Sequence, residues 1–218
     1  ETPCVHLPKT HELIRLMREV MHAVAPEVII ITETNVPHGE NISYFGEGND
    51  EAQMVYNFAL PPLLAFSVLK SNTEKLTNWA KELALPGGGV CFFNFTASHD
   101  GIGVRAVNDI LDEKEMSFLV RTSIGHGGYA SYRAIGDEDE SPYELNCSYI
   151  DLLTHPEEDD NIRVKRMILS QAVVLAMPGV PGIYFHSLVG SRNYHEAVRK
   201  TRINRSINRD KLNYDNLK

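Results

Sequence analysis

The sequence predicts an α/β fold organised around parallel strands. Three observations carry this. Short apolar runs near 28–32, 54–58, 90–95 and 182–185 recur along the 218 residues. Stretches of helical periodicity separate them, and polar segments marked by glycine or proline follow their C-terminal ends. Buried strands alternating with helices indicate a parallel sheet. With 43% hydrophobic and 23% charged residues, the composition is that of a globular protein with a sizeable core.

Taken in order, "KTHELIRLMREVMHAVA" (9–25) sets Leu13, Leu16, Met17, Val20, Met21 and Val24 at helical spacing, with Thr10 as the expected N-cap. Strand 28–32 follows, then the run 54–58. Pro61 and Pro62 are expected to open a helix near 62–70, and 73–84 reads as another. Gly87, Gly88 and Gly89 set off the third strand, and 104–125 reads as largely helical. Residues 126–150 carry Gly127, Gly128, the acidic run "GDEDE" (136–140) and interspersed tyrosines, and are expected to form irregular structure or a short hairpin outside the core. "NIRVKRMILSQAVVLAM" (161–177) is a long amphipathic helix, its end bracketed by Pro178 and Pro181 before the last strand.

Strands whose functional-looking residues follow their C-terminal ends suggest a (β/α)8 barrel, which needs eight strands and about 250 residues. The four strands found here read as its second half. The expected organisation is a barrel segment over 1–100, a helical and loop excursion over 101–155, and a closing barrel segment over 156–218.

Charge and composition exclude several classes. A formal charge of −8, with no basic or aromatic platform, argues against nucleic acid as a partner. Cys4, Cys91 and Cys147 are scattered and lack CxxC spacing, so they read as reduced thiols of a cytoplasmic protein. The nine histidines form no HxxxH or HxH pair, and no metal or cofactor is expected. The apolar stretch 167–185 is broken by Gln171, Pro178, Gly179, Pro181 and Gly182, so no membrane span is expected there.

The chemistry is suggested by two strand ends. The run Val28–Ile31 leads into Glu33, and "CFFNFTASHDGIG" repeats the arrangement with Asp100. Residues just past parallel strand ends converge over one barrel mouth, so the two carboxylates can face one substrate. Such a pair suits glycosyl transfer: one group protonates the departing oxygen and another stabilises positive charge at the anomeric carbon. His99 can donate to a sugar hydroxyl. The spacing fits equally a glutamate that caps a helix or pairs with a lysine. "HDGIGVRA" also contains Gly101-x-Gly103-x-x-Ala106, but residues 96–100 intervene after the strand and 120–126 hold no acid. The pattern therefore reads as backbone passing close under a ligand, not as a dinucleotide turn.

Several motifs, in order, resemble one family. "ITETNVPH", "FTASHDGIGV", "VYNFALPPLL", "MPGVPGIYF" and "RSINR" are similar to segments of the sucrose phosphorylase group in the α-amylase superfamily, glycoside hydrolase family 13. The resemblance implies the C-terminal part of the catalytic barrel, about strands five to eight, with the excursion after the seventh. It implies Glu33 as general acid/base, Asp100 as the transition-state-stabilising carboxylate, and His99 as a ligand of the glucose ring. Arg205 would hold the sugar or its neighbouring carboxylate, and Tyr143 and Glu144 would lie on a mobile loop on the acceptor and phosphate side. Tyr143 and Arg133 are the candidates to screen phosphate from the acidic site.

The implied reaction moves glucose from an α-glucoside donor to inorganic phosphate, with retention, through a covalent glucosyl-enzyme. Relatives that act on sucrose have an amide at the position of Glu144, and "TNVPHGENISYFG" is more similar to relatives acting on glucosylglycerate. A hydrolase or transglucosylase of the superfamily is the alternative. The family's nucleophilic aspartate and first four strands precede the matching region, so the missing N-terminal half of the barrel is an implied partner and the chain alone is expected to be inactive. An isolated half barrel, with open strand edges and an uncovered interior, is expected to aggregate, dimerise or seek its complement.

Overall fold

A computed structural model of the chain describes residues 6–135 and 139–217. Cys4 and positions 136–138 of the acidic run fall outside them.

The framework is a four-stranded parallel sheet in sequence order: β1 (Ile31–Thr32), β2 (Met54–Tyr56), β3 (Cys91–Asn94) and, after a long excursion, β7 (Val180–Pro181). Register runs Ile31 to Met54, Val55 to Phe92 and Phe93 to Val180. Buried amides join the strand ends. The Asn57 Nδ2 donates to Asn94 Oδ1 at 2.9 Å, and the Asn94 Nδ2 donates to the carbonyl of Pro178 at 3.0 Å. The last strand differs from the expected 182–185. Pairing is over Val180–Pro181, and the Tyr184 carbonyl accepts from Ser187 and Leu188, so the end of the apolar run starts a short helix.

Helices between the strands build the core. Helix α3 (Leu60–Lys70) begins two residues before the expected start, because Pro61 and Pro62 occupy first-turn positions where no intrahelical N–H is needed. Its residues Leu60, Leu63, Leu64 and Phe66 pack with Trp79 of α4 (Glu74–Glu82) and Leu119 of α5 (Glu113–Gly125) in the main cluster. Leu152 of α6 (Tyr149–Leu153) and Met167 of α7 (Asp160–Ala176) complete it. Of the expected helical stretch 104–125, only the part from Glu113 is α-helix. Asp112 fixes that start through a capping box with Glu115, and 105–107 form one tight turn.

The segment 126–150 is not outside the core. Strands β5 (Tyr129–Ile135) and β6 (Asp139–Asn146) form an antiparallel hairpin, and β4 (Ile102–Gly103) adds to the other edge of β6. Leu145, Cys147 and Ile102 are buried in the main cluster. Burial raises the Cys147 thiol to about 12. A thiol-specific reagent at pH 8 is therefore expected to modify Cys147 only on unfolding, read by mass spectrometry of native and urea-treated protein.

Helix α1 (Pro8–Val24) starts after Leu7 with Pro8 in its first turn. Thr10 thus lies within the helix instead of capping it. Its evenly spaced apolar residues stay largely uncovered. Leu13, Leu16, Met17, Val20 and Val24 are exposed, the last at 72%. The helix docks instead by Ile14 and by charge onto Glu51, which is 1% exposed. The His11 Nδ1 lies 2.7 Å and the Arg15 Nη2 2.9 Å from that carboxylate. Other large apolar side chains also stay exposed: Ile29 and Ile31 at the β1 end of the sheet, Val180 and Ile183 at the β7 end, Ile168 on α7, and Leu188 on α8 (Phe185–Leu188). So many exposed large apolar side chains are uncommon on a self-sufficient domain.

Candidate active site

A cavity of about 200 Å³ is lined by Tyr56, Phe93, Phe95, Ser98, His99 and Tyr184, from β2, β3 and the segments past β3 and β7; of the sequence-predicted residues only His99 lines it. Its wall is aromatic because alternate positions of β2 and β3 turn rings to this side. The Tyr56 and Phe93 centroids are 4.7 Å apart, and those of Tyr56 and Phe95 5.2 Å.

Asp100, next in the chain to the lining residue His99, has unequally held carboxylate oxygens. The Arg205 Nη1 donates to Oδ1 at 2.8 Å, and the Arg209 Nη2 donates to the same Oδ1 at 2.9 Å. His99 Nε2 is 3.7 Å from that atom. Among the described residues Oδ2 accepts nothing. The backbone is held as well: Asn208 Nδ2 donates to the carbonyls of Asp100 (2.7 Å) and Ser98 (3.1 Å), and Arg209 donates to that of His99. Arg205 and Arg209 both belong to "RSINR", which folds as a tight turn over Asn204–Asn208 after α9 (His195–Thr201). Sequence reasoning singled out only the first arginine. Asn208 and Arg209 in the same motif were the available signal.

Glu144 lies beneath this group, 4% exposed on β6. Arg205 donates to it through two nitrogens, Nε to Oε1 and Nη2 to Oε2, each at 2.8 Å, while Asn146 Nδ2 donates to Oε1 at 2.7 Å. The hydrogen bond to Glu144 is the leading cause that raises the Arg205 pKa above its usual value. Thus one guanidinium bridges two carboxylates, those of the buried Glu144 and of Asp100. Tyr143 and Glu144, expected on a loop, occupy the central strand of the small sheet; its ladder fixes them because β6 pairs on both edges.

The glycines of "HDGIG" have a reason within the protein itself. A Cβ on Gly101 would sit 2.6 Å from Asn146 Nδ2 and 2.8 Å from Glu144 Cδ, and one on Gly103 2.7 Å from Asn35 Cγ. The backbone passes close over protein side chains at both positions. Gly101→Ala is expected to cost about 1–3 kcal/mol and to loosen the Glu144–Arg205 pair, measured by urea unfolding.

Glu33, immediately after β1, is exposed and makes no hydrogen bond or ion pair among the described residues; neither a cap nor a lysine partner is present there. It lies close enough to Tyr56 to add to the effect of burial, the larger cause, in raising that phenol's pKa. The loop bearing it is tied down by Thr34, whose hydroxyl donates to Asn41 at 3.0 Å, and by Asn35, whose Nδ2 donates to the carbonyl of Tyr143 at 3.1 Å. Arg133, by contrast, lies on β5 opposite Ser141 and lines a different cavity. Among the described residues, no group of three or more His, Cys, Asp or Glu is arranged to hold a metal, and no helix is long and apolar enough to cross a membrane.

No protein-family model matches the chain. Glucosylglycerate phosphorylase of Escherichia coli K12 is 48% identical over 210 residues, which are 96% of this chain and 38% of that protein. Sucrose phosphorylase of Bifidobacterium adolescentis is 27% identical over 95% of this chain and 40% of its own. The chain is a homologue of the glucosylglycerate and sucrose phosphorylases. It spans about two fifths of the length of the curated members of this phosphorylase group that it matches. The crystal structure of sucrose 6F-phosphate phosphorylase from Thermoanaerobacter thermosaccharolyticum superposes with a TM-score of 0.79 at 21% identity, over 95% of this chain and 40% of that one. The α/β fold described above is therefore that of a region of this phosphorylase group.

Proposed function

We propose that the protein containing this chain is a retaining α-glucoside phosphorylase that transfers glucose from glucosylglycerate to inorganic phosphate, and that the chain supplies strands five to eight of its (β/α)8 barrel. The observation that carries this is the grip of two arginines on one oxygen of Asp100, beside His99 and an aromatic cavity within electrostatic reach of Glu33. A carboxylate held in this way presents its second oxygen to a developing cation. Glu33, without a partner among the described residues, is placed to lend and recover a proton. His99 binds the glucose ring, and Tyr143 borders the acceptor side.

Glu144 is given a supporting part. Its carboxylate holds Arg205, and Arg205 holds Asp100. The nucleophile lies in the rest of the barrel, whose packing on this chain is supported by the exposed apolar stripe of α1 and the apolar ends of the sheet. The three segments 1–100, 101–155 and 156–218 act as one barrel interrupted by an excursion. The enzyme works in the cytoplasm, as the reduced cysteines suggest.

The test is phosphate-dependent release of glucose 1-phosphate from glucosylglycerate and from sucrose by the full-length protein. Glucose 1-phosphate from glucosylglycerate, with little from sucrose, is the expected result. Free glucose instead would overturn phosphorolysis in favour of hydrolysis. Activity from the 218 residues alone would overturn the placement of the nucleophile.

A further inference from the structure

Three successive carbonyls in the segment after β3, those of Ser98, His99 and Asp100, are held by two adjacent residues at the end of one distant turn. The Asn208 Nδ2 donates to Ser98 at 3.1 Å and to Asp100 at 2.7 Å, and the Arg209 Nε donates to His99. The Asp100 amide in turn donates to Ser98 Oγ at 3.1 Å. Residues 95–101, between β3 and β4, belong to no strand or helix, so these bonds stand in for a ladder. Asn208 itself is 7% exposed, and its main-chain carbonyl accepts from the Tyr184 hydroxyl at 3.0 Å.

The orientation of this amide follows from its neighbours. Two carbonyl oxygens need donors, so the nitrogen faces them, and the Asn208 Oδ1 is left buried without a partner among the described residues. A buried acceptor left unpaired is costly. An apolar side chain of the same size would fill the space without that cost, but it could not hold the main chain on both sides of His99. The carboxylate of Asp100 is gripped separately, by Arg205 and Arg209. Asn208 sets where the main chain that carries it stands. We propose that Asn208 is a positioning residue for glucosyl transfer, which through these two carbonyls fixes the places of His99 and Asp100 relative to the glucose ring. The inference rests on the reading of Asp100 as the carboxylate that meets the developing cation.

The test compares the full-length protein with its Asn208→Leu variant, which keeps the bulk and loses both donors. Misplacing a reacting group by about 1 Å costs about 10²-fold in rate. The kcat of the variant is therefore expected to fall by about 10²-fold while KM stays within a few-fold, because the loss is felt in the transition state. Calorimetry gives a second readout. Affinity for a cationic iminosugar, which mimics the developing charge, should fall by a similar factor, and affinity for glucose by only a few-fold. Asn208→Asp keeps the shape and puts an acceptor where the donors were; it is expected to lose at least as much, and it carries the test if Asn208→Leu does not fold. A kcat within a few-fold of wild type in either folded variant, or equal losses of affinity for glucose and the iminosugar, would overturn the proposal. Asp100→Asn is the control. A near-wild-type rate there would overturn the reading of Asp100 and the inference with it, whereas an impaired Asp100→Asn beside an unimpaired Asn208→Leu would overturn the inference alone. The same loss of kcat, read as free glucose in place of glucose 1-phosphate, would support the inference while overturning phosphorolysis.

Discussion

Glu33→Gln in the full-length protein is expected to slow glucosyl transfer from glucosylglycerate by about 10²–10⁴-fold. A donor that departs without a proton, such as α-glucosyl fluoride, should form the glucosyl-enzyme at a rate within a few-fold of wild type. The reasoning starts from position. Glu33 has no partner among the described residues and lies within electrostatic reach of Tyr56, which lines the aromatic cavity. An amide there keeps the shape and removes the proton. Pre-steady-state release of fluoride against steady-state release of glucose 1-phosphate separates the two steps. Equal losses with both donors would show that Glu33 is not the acid.

Arg205→Ala is expected to act on stability and on chemistry together. It strands the buried Glu144 carboxylate, and loss of one partner of a buried ion pair costs about 3–5 kcal/mol. The half-exposed position of Arg205 favours the lower end of that range. It also removes one of the two donors on Asp100 Oδ1. Adding Glu144→Gln should restore most of the stability, because the uncompensated charge is gone, and should not restore the rate. Urea unfolding and the rate of glucose 1-phosphate formation on the single and double variants check both halves. A double variant as unstable as Arg205→Ala would mean that packing by the arginine stem, not charge, is what Glu144 depends on.

These two residues also mark the boundary of what the sequence makes legible. Strands 31–32, 54–56 and 91–94 and helices α1, α3, α4 and α7 are set by local periodicity and turn residues, and each lies within a few positions of its expected place. Glu33 and Asp100 are visible because an apolar run that ends in an acid is a local signal. The grip on Asp100 is not local. Arg205 reaches across 105 positions and Asn208 across 108, and no short-range pattern encodes such a meeting. Of the small sheet, the hairpin is among the expected forms of 126–150, and its third strand is not, for a similar reason. Strand β4 has two residues and exists only because Ile102 and Gly103 find Leu145 and Glu144. For helix α1 the periodicity is local and legible, whereas which face is covered depends on what surrounds it, and the polar side meets Glu51.

The order of the parallel strands carries a consequence for how the chain folds. Ile31 and Met54 meet across 23 positions, whereas Phe93 and Val180 meet across 87. Closing the longer loop costs about 1 kcal/mol more in chain entropy. The first three strands can therefore assemble as an early unit, while the last is delayed until the hairpin and α7 between them have become compact. Asn94, which holds both the Pro178 carbonyl and the Gly182 amide, then acts as the latch that records completion. In pulse-labelled hydrogen exchange during refolding, the Gly182 amide should be among the last to gain protection, after those of Val55 and Phe92.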